Sequence, residues 1–288
     1  SSGMKEQSPW FDEAYIAVVQ AGEQTGALGG VLLQLAEELE NTEQLRQKVI
    51  GASLYPMIVV FFSIIMVVFL MVYVVPQVAN VFAQGNKKLP WLTSMMLMIS
   101  SFIKQAGGWM FLAGVIAAGV HTYAMKKSLS WKQRVHRAWL KIPVIGVLAL
   151  KYHNARFSSV LGLLVDAGVP ILKALSYSKL TVSNIVIQQD IEEVYHLVRE
   201  GASLANALQT KKNFMIDVIA FSRIGEQSGQ LASMLRRASH HLSSEVQRRA
   251  VRLATLLEPL LIVSMGMMVM LIVLSVLMPI MQLNTMIK

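Results

Sequence analysis

No cysteine occurs in the 288 residues, so neither a disulfide framework nor a thiolate metal site can be built. Charge is scarce. Asp, Glu, Lys and Arg together make up 15% of the chain, against 54% apolar residues, a balance too apolar for an ordinary soluble domain. No HExxH, GxSxG or GxxxxGKS/T occurs, which removes the familiar signatures of zinc proteases, serine hydrolases and phosphate loops. His240 and His241 are adjacent and cannot share a helix face. His121, His136, His153 and His196 show no ligand spacing with carboxylates, and Asp166 and Asp217 each stand alone. No catalytic, cofactor or metal site is expected, and the chain does not read as an enzyme.

The scarcity of charge is uneven. No charged residue falls between Val49 and Asn86, between Gln105 and Met125, or between Pro259 and Ile287. A bilayer core takes about 20 apolar helical residues to cross, and each gap supplies them. Three transmembrane helices are expected, over 54–79, 107–125 and 258–282. A buried core helix is the competing reading, most of all for the shorter, Gly- and Ala-rich middle segment. The first span starts about 50 residues in and is no cleaved signal peptide. Ser1–Gly3 ahead of Met4 reads as a tag remnant. The methionines crowd the spans, where a soft thioether is packing material.

Lys and Arg near the span ends set orientation. Arg46, Lys48, Lys126, Lys127, Lys132, Arg134, Arg137, Lys141, Arg248, Arg249 and Arg252 flank one side; Lys87, Lys88, Lys104 and Lys288 flank the other. The first side is therefore expected in the cytoplasm, with the N-terminus inside and the C-terminus outside. The block KKSLSWKQRVHRAWLK holds no acid. A topology signal touching anionic lipid accounts for it, and nucleic acid is not expected as a partner.

One short phrase occurs twice. GEQTGAL runs from Gly22 to Leu28 and GEQSGQL from Gly225 to Leu231, an offset of 203. The same offset aligns Leu32 with Leu235, Leu39 with Leu242, Arg46 with Arg249, Pro56 with Pro259 and Pro76 with Pro279. A repeat this long is a duplicated unit rather than a solenoid period. Two copies in one orientation both cross the membrane outward, so a return crossing must lie between them, and the middle span supplies it. Ala113/Ala117 and Gly114/Ala118, spaced by four, offer that span a close helix contact.

Physically the phrase is a helix corner. Gly22 and Gly225 are expected to end one helix in the left-handed conformation. Thr25 and Ser228 would cap the next, with Glu23 and Glu226 beside its positive end. Gly26 and Gly229 complete the motif. Those two glutamates serve the corner or a protein partner. After Gly229 a helix can run to Leu257 and onward, roughly 80 Å in all if continuous, with a kink at Pro259. Glu258 sits at the membrane border, as a functional acid or as one that snorkels or pairs with Arg252. Its counterpart in the first copy is Tyr55.

Residues 126–257 form a domain of about six helices with no strand-like alternation. Gly168 stops one helix and Pro170 opens the next; Gly201 stops another and Ser203 caps its successor. The expected organisation is a partial cytoplasmic domain (1–53), a span (54–79), a periplasmic loop (80–106), a span (107–125), a cytoplasmic six-helix domain (126–257), a span (258–282) and a periplasmic tail (283–288). The fold class is an all-α polytopic membrane protein with helical-bundle domains and a duplicated unit.

The corner, its long helix, the YP or EP pair and the closing proline together resemble the F-protein family of type II secretion systems, which also holds the platform protein of type IV pilus assembly. Phe157–Leu175 is close to that family's FxxxLxxLLxxAGVPxxxAL pattern. The resemblance covers nearly the whole chain. It implies an inner-membrane platform with two similar cytoplasmic domains, coupled to a cytoplasmic ATPase, to pilins or pseudopilins, to other inner-membrane platform proteins and to copies of itself. The AGVP half occurs once, so the comparison of the two copies implies roughly 100 residues of a first half-domain outside this sequence. Residues 4–48 are acidic, with Glu6, Asp12, Glu13, Glu23, Glu37, Glu38, Glu40 and Glu43 against Lys5, Arg46 and Lys48, a docking face or a solvated one. A small transporter or channel subunit is the alternative function, although polar groups inside the spans are few.

Overall fold

The computed structural model describes residues 16, 18–20, 22, 23, 26, 28–77 and 91–286. Thr25, Glu6, Asp12, Glu13, Lys87, Lys88 and Lys288 lie outside them. Among the described residues all regular structure is helical. The elements are α1 (Leu28–Phe69), a π turn (Leu70–Val74), α2 (Trp91–Lys127), α3 (Leu129–Lys141), α4 (Ile145–Asp166), α5 (Ile171–Leu180), α6 (Ile185–Arg199), α7 (Leu204–Gln209), α8 (Ile216–Ser228) and α9 (Leu231–Met286). They fall into two compact units, Ser1–Val49 with Met125–Val251, and Ile50–Ala124 with Arg252–Lys288.

The first unit is built around α4. From Lys151 to Leu164 nearly every α4 residue is buried, the mark of a helix enclosed by others. Phe157, Leu161 and Leu164 meet Leu175, Ile187, Ile191, Leu208, Leu235 and Leu242 in one core. Each fully buried side chain of this size contributes about 1.5–3 kcal/mol. Gly162 lets α9 approach closely: a Cβ there would lie 3.1 Å from the Ala232 carbonyl oxygen. The helix ends follow from turn chemistry. Gly168 takes φ 78°, with the N–H groups of Gly168 and Val169 donating to the carbonyls of Val165 and Leu164, a glycine-ended Schellman arrangement. Pro170 stands immediately before α5 with φ −54°. Gly201 (φ 99°) and Ser203, whose hydroxyl accepts from the Asn206 N–H, separate α6 from α7.

Two buried polar groups brace this unit. Asn154, fully buried, donates to the carbonyls of Leu150 and Asn213 and accepts from the Met215 N–H at 3.0 Å, just ahead of α8. Lys151, also buried, pairs with Glu245 of α9. Burial, then the Arg249 charge, lowers the Lys151 pKa, opposed by Asp217.

In the second unit most large apolar side chains are exposed, Phe61, Phe62, Ile65, Leu260, Ile262 and Val263 among them. Helices Leu28–Gln77 and Leu231–Ser275 are long and apolar enough to cross a membrane; a third crossing is present if Thr93–Trp109 and Leu112–Met125, bent by 44°, count as one. Met71, Val75, Met96 and Ile272 form a small core. Thr93 donates to the Ser275 carbonyl at 2.8 Å and Ser100 to the Met71 carbonyl at 2.5 Å. Residues 80–106, expected as a loop, are helical from Trp91 onward. Lys104 ends the hydropathy signal there, but a single lysine does not end a helix. Among the described residues the close contact expected at Gly114 is not made: a Cβ there meets nothing within 4 Å. The packing of α2 lies nearer its start, at Thr93, Met96 and Ser100.

Candidate functional site

In the repeated phrase the two glycines have different roles from those expected. Helix α8 continues through Gly225 to Ser228, and Gly229 is the left-handed residue that ends it, with φ 69°. In the first copy Gly26 is the left-handed one, at φ 72°. Gly225 is instead the point of closest approach. A Cβ on it would sit 2.8 Å from Leu231 Cα and 3.0 Å from Met234 Cβ. Gly22 does the same on the matching residues, 3.3 Å from Leu28 Cα and 3.1 Å from Val31 Cβ. Both glycines are buried. Sequence alone offers two glycines four apart; either could turn the chain, and only the packing tells them apart.

Ser228 does not cap α9. Its hydroxyl donates to the Ile224 carbonyl within its own helix, while the Gln230 N–H donates to the Gly225 carbonyl and closes the corner. Glu226 also differs from expectation. Its carboxylate accepts from the N–H groups of Leu204 (2.5 Å) and Ala205 (3.1 Å), the start of α7. Ser203 takes the next N–H, so the first turn of α7 is satisfied by an acid from the corner. Glu23 is exposed. Glu226→Ala is expected to lower stability by about 1–2 kcal/mol and to speed amide exchange at Leu204 and Ala205 above all, read by hydrogen-exchange mass spectrometry of the purified protein.

At the other end of the repeat, α1 and α9 remain helical through Pro56 and Pro259. A cleft of about 330 Å³ is lined by Gly51, Ala52, Tyr55, Pro56, Ala254, Thr255 and Glu258. Residues at the 203 offset, Tyr55 and Glu258 among them, thus share one cleft. Pro56 is buried, Glu258 and Pro259 are exposed, and among the described residues Glu258 makes no ion pair with Arg252. Gly168 and Pro170 stand at the α4–α5 turn. A second cleft, of about 320 Å³, lies within the first unit, where Glu37, Asn41 and Gln44 face His240, Ser244 and Gln247. Among the described residues no group of three His, Asp or Glu side chains is placed to hold a metal ion.

The family model described as type II secretion system (T2SS), protein F matches residues 1–76 and 157–279. The chain is 35% identical over 284 residues to a type II secretion system protein F of Pseudomonas aeruginosa, covering 99% of this chain and 70% of that protein. It is 31% identical over 288 residues to the type IV pilus assembly protein PilC of the same organism, covering 99% and 76%. It is 30% identical over 286 residues to the type IV pilus assembly protein TapC of Aeromonas hydrophila, covering 99% and 69%.

Proposed function

Because the chain belongs to the type II secretion system protein F family, we propose that it works as a coupling element between a cytoplasmic assembly ATPase and the pilin-like subunits being polymerised. That the protein is an inner-membrane platform of secretion or pilus machinery follows from the family and from its relatives of both kinds. The observation supporting the finer reading is the corner made twice. In each copy a left-handed glycine and a closely packed glycine set the start of one long helix, which then runs without interruption past a proline into an apolar segment. A displacement of the corner is thereby passed along a helix rather than absorbed in a loop.

In this reading the unit is duplicated, three spans cross the membrane, the N-terminus is cytoplasmic and the C-terminus periplasmic. The domain boundaries are those set out from the sequence, save that the stretch ahead of the second span is helical from Trp91, with 126–257 as a cytoplasmic helical domain. Anionic lipid, other platform proteins and further copies of the chain are its remaining partners, and the corner residues Gly22, Glu23, Gly26, Gly225, Glu226 and Gly229 are the candidates for transmitting movement. No catalytic step is assigned to it.

A photo-crosslinker at Gln227, exposed on the corner, should capture the ATPase in a working apparatus, and one at Ile262, exposed on α9, should capture a pilin-like subunit. Capture of neither, with secretion or piliation intact, would exclude the coupling role.

A further inference from the structure

The α3–α4 connection carries the most strained backbone among the described residues. Val144 has φ 70° and ψ −59°, and the Ile145 N–H donates to the Pro143 carbonyl at 2.9 Å. This is the rarer, positive-φ form of the γ-turn, and a β-branched residue in it is a true outlier that surrounding packing must enforce. The enforcement is visible next door. A Cβ at Gly146 would lie 2.2 Å from the Leu140 carbonyl oxygen, so the backbone of α4 is pressed against the end of α3. The result turns apolar side chains outward. Ile142, Val144, Ile145 and Val147 are 39–55% exposed.

Helix α3 continues the same surface. One side packs on α4 and α6, where His136 Nδ1 accepts from the Ile185 N–H. Arg134, Arg137 and Lys141 are exposed on the other, and Trp131 and Trp139 are exposed too. No Asp or Glu occurs between Glu43 and Asp166. Chain connectivity fixes where α3 begins: Ser128 alone separates the end of α2 from α3, and the apolar tip lies one 13-residue helix, about 20 Å, further on. Basic residues and tryptophans along a helix that starts there and ends in an apolar tip match the chemistry of an anionic headgroup layer.

We propose that α3 and the α3–α4 corner form a lipid-surface anchor, in which the strained tip enters the headgroup layer and Arg134, Arg137 and Lys141 hold anionic headgroups. This deepens the membrane placement proposed above and rests on it. The anchor ties the base of α4, the central helix of its unit, to the bilayer surface.

The absence of cysteine makes the test direct. Val147→Cys, Ile216→Cys and Ile65→Cys are each labelled with bimane in the full chain, reconstituted in vesicles of equal phosphatidylcholine and phosphatidylglycerol. Ile216 is exposed elsewhere in the same unit and Ile65 lies in the apolar part of α1. The label at 147 is expected to be several-fold less quenched by iodide than that at 216. Arg134→Glu/Arg137→Glu/Lys141→Glu, or vesicles of phosphatidylcholine alone, should abolish that protection and leave position 65 shielded. Equal quenching at 147 and 216 with 65 still shielded would overturn the anchor while sparing the spans, as would protection at 147 that survives both changes or needs added cytoplasmic extract. Strong quenching at 65 would overturn the spans and the anchor together.

Discussion

Gly225→Val is expected to break the α8–α9 corner. The nearest atom a Cβ would meet is the Leu231 Cα at 2.8 Å, with the Leu231 N at 3.3 Å. Both belong to backbone, so no rotamer change can clear them, and α9 must move off α8. Overpacking alone costs about 1–3 kcal/mol. Moving α9 would further disturb the Gln230-to-Gly225 hydrogen bond and the Leu235 and Leu242 side chains in the core, so the total should sit at or above the top of that range. Gly22→Val, which meets mainly the side chain of Val31, is expected to be milder. Gly229→Ala probes the turn itself and should cost about 1–2 kcal/mol through left-handed strain with no steric clash. Urea unfolding of the detergent-solubilised protein separates the three. If Gly225→Val proved no worse than Gly229→Ala, the close approach would not be what shapes the corner.

The second large effect concerns acid. His153 is buried in α4 and, among the described residues, its Nδ1 has no hydrogen-bond partner. Burial first, then the charges of Arg156 and His136, lowers its pKa from 6.5 to about 4. The unfolded chain binds a proton here below about pH 6.5, whereas the folded protein refuses it until about pH 4. Stability is therefore fully present above the unfolded pKa. It is lost as pH falls through this window at about 1.4 kcal/mol per pH unit, about 3 kcal/mol in all. His153→Leu, which cannot titrate, should flatten this dependence. Unfolding midpoints measured at neutral pH and near pH 5 for both proteins check it; an equal acid loss in the variant would remove His153 as the cause.

The sequence made some of this legible and hid the rest for physical reasons. Gaps in charge are local properties, so the apolar helices could be read directly. Gly168, Pro170, Gly201 and Ser203 act on their immediate neighbours, and their turn chemistry is likewise local. The exchange of roles between Gly225 and Gly229 was not legible, because it depends on what lies beside each residue in space. Glu226 and Leu204 are 22 residues apart, Asn154 and Met215 61, and Lys151 and Glu245 94. No periodicity announces such pairs. The start of α2 at Trp91 escaped because hydropathy reports solvent preference rather than helicity. The turn at Val144 escaped because nothing in IPVIG marks a valine for positive φ.

The π turn at Leu70–Val74 has a consequence of its own. It draws one extra residue into a single coil of α1, where the Val75 N–H reaches back to Leu70, and α9 has no such insertion. Each residue of an ordinary helix advances the angle by about 100°, so Val75, Pro76 and Gln77 are out of phase with the residues at the 203 offset. Pro76 and Pro279 match in sequence, yet the helical backbone reaches them with different phase. The two copies begin as twins and finish as distinct surfaces.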